Sequence, residues 1–106
     1  MSKIYIMGTF SDKGLKGLVQ SENDREKIVK KTCKAIGVEF ISFDILQGEI
    51  DFIGIFEGDY EQGVSFKAAI MLSGDFNDIV ICNSISLEKM RDYVKKISNV
   101  YIPPSG

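Results

Sequence analysis

The chain has 106 residues, a net charge of −2, 44% hydrophobic and 26% charged residues, which predicts one globular domain. Histidine is absent, which excludes histidine-based acid–base catalysis, Ser-His-Asp and Cys-His triads, and histidine ligation of metals or haem. The two cysteines, Cys33 and Cys82, lack metal-ligand spacing, so we expect neither a metal nor another cofactor. The acidic balance argues against nucleic-acid binding, and no apolar run approaches the ~20 residues of a membrane span. We therefore expect a cytoplasmic protein.

The first third of the chain predicts a strand followed by helical segments. Residues 3–10 form a nearly continuous apolar run rich in β-forming side chains, and turn residues end it at 11–14. Only a weak helical turn is predicted next. The stronger helix is expected to begin after Ser21, whose hydroxyl would form a capping box with Asp24, and to end at Gly37.

The middle of the chain predicts a hairpin and a second helix. Residues 38–46 and 50–57 read as two strands around a glycine-containing turn, which is typical of an antiparallel hairpin. The helix that follows is expected to have Asp59 as its N-cap and Gln62 as the capping-box partner. Its predicted buried stripe consists of Tyr60, Val64, Ala68, Met71 and Leu72.

The last elements complete the predicted fold. Residues 79–85 predict a fourth strand, and Ser86 caps a last helix with the apolar stripe Met90, Tyr93, Val94 and Ile97. The order β-α-β-β-α-β-α is that of an α+β, ferredoxin-like βαββαβ sandwich with a C-terminal helix, with strands one and three in the centre of the sheet. We assign residues 1–98 to a single domain and residues 99–106 to a C-terminal tail.

The strands predict apolar side chains on both faces of the sheet. In strand three, Ile50, Phe52 and Phe56 point to one side, and Ile53 and Ile55 point to the other. Two helices cover only one face, and soluble monomers rarely expose a large contiguous apolar patch. We therefore expect a homodimer that pairs through the open sheet face, with a higher oligomer as a further option. In the alternative, the last helix folds back across that face.

Three segments resemble the GYD-domain family. They are Tyr5-Ile6, the segment Phe10-Ser11-Asp12-Lys13-Gly14-Leu15-Lys16, and Gly48-Glu49-Ile50-Asp51 with the following Ile53, Ile55 and Glu57. The resemblance covers roughly residues 3–97 and implies a ferredoxin-like protomer, pairing of two sheets into a dimeric α+β barrel, and no established activity. Two departures stand out: Ile50 replaces the tyrosine of the family motif, and residues 78–83 lack the arginine and threonine usual in the last strand. If those polar residues line a ligand site in relatives, this chain has lost that site or binds something more apolar.

The candidate ligand-binding residues are Tyr5, Phe10, Asp12 and Asp51. Tyr5 offers a phenol as a hydrogen-bond donor, and the other three lie in the segments that resemble the family. For Asp51 we favour a structural role, in which its carboxylate accepts from backbone N–H groups at the hairpin. The alternative is acid–base work beside Asp44, which flanks the same hairpin.

The first functional interpretation is a homodimeric, non-catalytic module that binds a small ligand or a protein partner. The alternatives are a cofactor-independent, monooxygenase-like enzyme acting on a small aromatic compound, as the dimeric barrel group includes, or a self-assembly domain. An enclosed void of roughly a few hundred Å3 beside Tyr5 and Asp51 would favour an enzyme or a binder. A filled core would favour assembly.

Overall fold

Four antiparallel strands form one sheet in the order β2-β3-β1-β4, with helices against one face. This computed structural model describes residues 2–106, so Met1, the first residue of the predicted domain, lies outside the described residues. In chain order the elements are β1 Ser2–Phe10, α1 Asp12–Gln20, α2 Arg25–Ile36, β2 Glu39–Ile45, β3 Phe52–Gly58, α3 Tyr60–Met71, β4 Phe76–Asn83 and α4 Leu87–Ser98. The predicted ferredoxin-like α+β fold is confirmed, and β1 and β3 occupy the centre of the sheet.

The hydrophobic core lies between the sheet and the helices α2 and α3. Its buried side chains are Ile4, Ile6, Cys33, Val38, Phe52, Phe56 and Ile79. Because side chains alternate along a strand, Ile4 and Ile6 point into this core while Tyr5 and Met7 point to the opposite face. The sheet therefore has a helix-covered face and an open face.

Helix α3 packs through a different side from the one predicted. The predicted stripe is exposed, with Tyr60 at 62% and Leu72 at 88%, so that prediction is wrong. The side that faces the sheet carries Gly63, and the ring of Phe66 from the same helix stacks on Phe56 with centroids 5.4 Å apart. A Cβ on Gly63 would lie 3.1 Å from Cγ2 of Ile4, so the glycine permits a close approach of helix to sheet. Both sides of α3 carry apolar residues, so periodicity alone could not show which side packs on the sheet.

The helix caps partly match the predictions. Gln62 and Asp59 form the predicted capping box, each accepting from the other's backbone N–H at 2.8 Å. Gly37 ends α2 with a left-handed φ of 76°, as predicted. The predicted Ser21 box is wrong, because Asp24 is itself the N-cap and accepts from the N–H of Lys27 at 3.2 Å. Ser21 instead closes α1, which is a complete nine-residue helix rather than a weak turn.

Helix α4 extends away from the sheet. Every residue of α4 is exposed, and the molecule measures 59 Å along its longest axis. Its radius of gyration is 17.7 Å, against about 13 Å for a compact domain of this length. The alternative in which this helix folds back over the open face is therefore not the arrangement seen. None of the helices in residues 2–106 is both long enough and apolar enough to cross a bilayer.

Candidate functional site

Asp51 ties the hairpin to the end of β1. Its carboxylate Oδ2 accepts from the backbone N–H of Phe10 at 2.9 Å, beside the irregularity in the β1–β4 pairing at Thr9 and Phe10. Its own N–H donates to the carbonyl oxygen of Gly8 at 2.7 Å, and its carbonyl oxygen accepts from the N–H of Leu46 at 2.7 Å. Only the first of these bonds involves the carboxylate, and its donor lies at the end of β1 rather than in the hairpin, where the structural interpretation of Asp51 placed it.

The four predicted site residues do not form one cluster. Phe10 and Asp51 are joined by the hydrogen bond just described, and Phe10 belongs to the helix-covered side. Tyr5 lies on the open face, paired with Ile55 across the sheet, and Asp12 is exposed in the first turn of α1. The cross-strand partner of Asp44 is Ile53 rather than Asp51, so the pairing does not set those two carboxylates opposite each other.

An apolar cavity of about 90 Å3 lies between the sheet and the helices α2 and α3. We call it the phenylalanine cavity, after the six rings in its wall, which are Phe10, Phe43, Phe52, Phe56, Phe66 and Phe76. The rings of Phe10, Phe52 and Phe76 form a mutual cluster with centroids 5.3 to 5.4 Å apart. Aromatic pairs prefer such tilted and edge-on arrangements, so the three rings pack favourably in this part of the wall.

A wider cleft of about 440 Å3 adjoins this cavity. The two spaces share six lining residues, which are Phe10, Arg25, Ile28, Thr32, Ile70 and Phe76, and we call the wider one the entrance cleft. Helix α1 forms part of its wall through Gly14, Gly17 and Leu18. A Cβ on Gly14 would lie 2.0 Å from the carbonyl oxygen of Asp75, so only glycine lets α1 approach the loop before β4 this closely. The segment that resembles the family motif therefore builds the cleft.

Arg25 is the single charged side chain in the wall of the phenylalanine cavity. Among residues 2–106, no carboxylate oxygen lies within 4.0 Å of its guanidinium. The entrance cleft contains one acid, Asp75, whose Oδ1 lies 3.6 Å from Nζ of Lys13. That oxygen is buried and has no hydrogen-bond partner in the described part of the chain. The guanidinium is thus the one cationic donor in this wall, and none of the described residues pairs it with a carboxylate.

The remaining polar groups of the phenylalanine cavity are neutral. The hydroxyl of Thr32 donates to the carbonyl oxygen of Ile28 at 2.9 Å. Burial raises the pKa of the Cys33 thiol above its ordinary value of 9.0, with a smaller opposing effect from a backbone hydrogen bond. The thiol is therefore protonated at neutral pH, and a thiolate, which is the nucleophilic form, is not present in this wall.

The open face is the second notable surface. The strand register brings together Tyr5, Met7, Ile53, Ile55, Val80 and Cys82. Val80 is 51% exposed, and none of the six is fully buried. The apolar second face predicted from the strand patterns is therefore present.

Sequence reasoning missed Arg25 and the contribution of α3 to the cavity. Arg25 is the first residue of α2, but the wrong N-cap prediction at Ser21 placed the start of the helix earlier in the chain. Phe66 and Ile70 lie on the side of α3 that the predicted stripe left out. A search for the stripe that includes Gly63 would have found both side chains. The void that would favour an enzyme or a binder was placed beside Tyr5 and Asp51, whereas the phenylalanine cavity measures about 90 Å3 and does not include Tyr5 in its wall.

Comparison with known proteins places the chain in a family. Residues 5–94 match the family model of the GYD domain. No curated protein and no solved structure shows a significant match. The resemblance carried by the strand-one motif and the hairpin turn is thereby confirmed over most of the chain. The protein belongs to the GYD-domain family.

Proposed function

We propose that this GYD-domain protein is a homodimeric, non-catalytic module that binds a small apolar ligand carrying an anionic group. The ligand occupies the phenylalanine cavity and the adjoining entrance cleft. One observation carries the proposal: six aromatic rings line the cavity together with a single guanidinium, which has no carboxylate partner among residues 2–106, and the cavity shares six lining residues with the wider cleft. Ligand sites are typically concave, mostly apolar, and fixed by a few polar groups of this kind.

The size of the space limits the ligand. A dry cavity of about 150 Å3 holds a benzene ring, whereas the phenylalanine cavity measures about 90 Å3. The cavity itself therefore accepts a short alkyl chain or the edge of a ring. The rest of the molecule extends into the 440 Å3 of the entrance cleft. The absence of the polar last-strand residues usual in relatives agrees with an apolar ligand.

The charge of the ligand follows from Arg25. A guanidinium pairs with a carboxylate through two parallel hydrogen bonds, and such charge-assisted bonds are stronger than neutral ones. The surrounding rings lower the local dielectric, which strengthens the attraction. Arg25 lines both the cavity and the cleft, so a carboxylate bound there leaves its apolar part directed toward the rings.

The lining chemistry supports binding rather than catalysis. The Cys33 thiol is neutral at pH 7, and the Thr32 proton is engaged by a backbone carbonyl. Asp51, the acid in the family-like hairpin turn, accepts from the backbone of Phe10. The groups available to a ligand therefore hold and orient it.

The homodimer is supported by the open face. Its centre is apolar on three neighbouring strands, as shown by the pairs Met7–Ile53 and Met7–Val80. Pairing with the same face of a second copy buries this surface on both chains at once, because a two-fold interface is self-complementary. Pairing of two sheets is also what membership of this family implies.

Calorimetric titration with sodium octanoate tests the ligand class. We expect saturable binding to the wild-type protein and at least tenfold weaker binding to Arg25→Gln, because a charge-assisted bond contributes about 1.5–3 kcal/mol. Lys27→Gln is the matched control, since it removes the same charge from an exposed position on the same helix. Octylamine, with the opposite head-group charge, should not bind. Equal loss in both variants, or equal binding of octylamine, contradicts the proposal.

A further inference from the structure

Helix α4 presents an uncovered apolar stripe. Its members are Leu87, Met90, Tyr93, Val94 and Ile97, and Met90, the least exposed of them, is still 42% exposed. Exposed apolar residues continue beyond the helix at Val100 and Ile102. A helix of 12 residues is marginal in water by itself, and most helix stability in proteins comes from packing an amphipathic face. The stripe therefore requires a partner surface.

The charge of α4 indicates the kind of surface that covers it. The helix contains four cations, Lys89, Arg91, Lys95 and Lys96, against two acids, which gives a net charge of +2. Lys95 and Lys96 lie in the last turn. A matching surface has an apolar strip bordered by acids.

The β2 margin of the open face has these properties. We define this margin by Glu39 and Asp44 of β2, with Glu57 opposite Glu39 on β3. Lys3 lies opposite Glu57 on β1, so the net charge of the set is −2. Among residues 2–106, no cation lies within 4.0 Å of these acids. The same edge strand exposes Ile41, which lies at the irregularity in the β2–β3 pairing between Phe40 and Ser42.

The β2 margin cannot cover the α4 helix of the same chain. The helix follows β4, and β4 and β2 are the two opposite edges of the sheet. The 59 Å length of the molecule reflects a helix directed away from the sheet. When two sheets pair about a two-fold axis that runs along the strands, β4 of one copy lies over β2 of the other. The helix that follows β4 is then brought to the β2 margin of the second copy.

We propose that α4 of each chain docks on the β2 margin of the open face of a second copy. The apolar stripe covers the edge strand, and Lys89 and Lys96, which lie together on one flank of the stripe, face Glu39, Asp44 and Glu57. The inference rests on the proposed homodimer and adds to it the exchange of the two C-terminal helices and the direction of the two-fold axis. The two docked helices therefore lie along the two lateral edges of the paired sheets, where the β2 strands are.

Cross-linking between two differently labelled chains tests this placement. In a Cys82→Ser background, a chain with Val94→Cys is mixed with a chain with Ser42→Cys, a position on β2 that faces Ile55. A short bismaleimide should join them into a product of twice the chain mass. The control pairs Val94→Cys with Asp78→Cys on the opposite edge strand, and that pair should give at least tenfold less product. Equal products from both pairs would overturn the placement.

Charge exchange provides an independent test. Lys89→Glu with Lys96→Glu should weaken dimerisation at least tenfold in sedimentation, and Glu39→Lys with Asp44→Lys in the same chain should restore it. Unchanged dimerisation of the first variant overturns the helix exchange while the sheet-paired dimer stands. A wild-type protein that sediments as a monomer at micromolar concentration overturns the proposed homodimer as well.

Discussion

Removal of the Asp51 carboxylate should destabilise the fold without removing any core side chain. In Asp51→Ala, the N–H of Phe10 loses the acceptor that lies 2.9 Å away in a partly buried position. An unsatisfied buried donor costs about 1–3 kcal/mol. We expect the free energy of unfolding to fall by about 2 kcal/mol, because the two backbone bonds of Asp51 to Gly8 and Leu46 persist in the variant.

The conservative variant separates the acceptor from its charge. Asp51→Asn keeps an oxygen that can accept from Phe10 but loses the charge, and hydrogen bonds to charged groups contribute about 1 kcal/mol more than neutral ones. We therefore expect Asp51→Asn to lose about 1 kcal/mol, half the effect of alanine. Glu49→Ala is the matched control, because Glu49 is an exposed acid in the same hairpin turn and its change should stay within about 0.5 kcal/mol.

Urea titration at pH 7 measures all three variants. The predicted order of stability places wild type and Glu49→Ala highest, then Asp51→Asn, then Asp51→Ala, with equal slopes of free energy against urea. An Asp51→Ala variant as stable as the wild type would refute the structural role. In that case a functional role for the acid, held at a cost to stability, becomes the better account.

Three further predictions follow from packing, burial and the open face. Gly63→Ala should lower the free energy of unfolding by about 1–2 kcal/mol because its Cβ meets Ile4 and Ile81, whereas Gly17→Ala, with open space around it, should raise it by about 0.5–1 kcal/mol. Chemical denaturation measures both variants, and a change of the same sign in the two contradicts the packing argument. Because burial raises the pKa of Cys33, the thiol ionises first in the unfolded chain, so the free energy of unfolding should fall as pH rises above 9.0. Denaturation at pH 8 and pH 10 should show a smaller fall for Cys33→Ala than for the wild type, and equal falls in the two proteins refute this. Met7→Asp, in the centre of the open face, should convert the dimer to a monomer in light scattering without loss of helical circular dichroism, and an unchanged dimer mass excludes that face as the interface.

The sequence predicted the fold because the strand and cap signals are local. Apolar runs and turn residues located all four strands, and the Asp59–Gln62 capping box and the left-handed Gly37 are determined by their immediate neighbours. The central position of β1 and β3 follows from the handedness rule for crossovers. These features need no knowledge of tertiary distances.

The candidate site could not be predicted in the same way because it depends on close approaches. Gly14 and Gly63 allow α1 and α3 to come near Asp75 and Ile4, and only the packed structure shows these distances. Periodicity could not choose between the two apolar sides of α3, so Phe66 was missed. A backbone-accepting role for Asp51 was predictable, but its donor Phe10 is 41 residues away along the chain, and only the packed structure shows that partner.

The most direct test of the central claim is a methyl NMR titration of isoleucine-labelled protein with sodium octanoate. The account predicts saturable shift changes at Ile28 and Ile70, which line both the phenylalanine cavity and the entrance cleft. The methyl groups of Ile53, on the open face, should not move, and Arg25→Gln should need at least tenfold more octanoate for the same change. Saturable shifts at Ile53 with none at Ile28 and Ile70 would place the ligand on the open face and contradict the account.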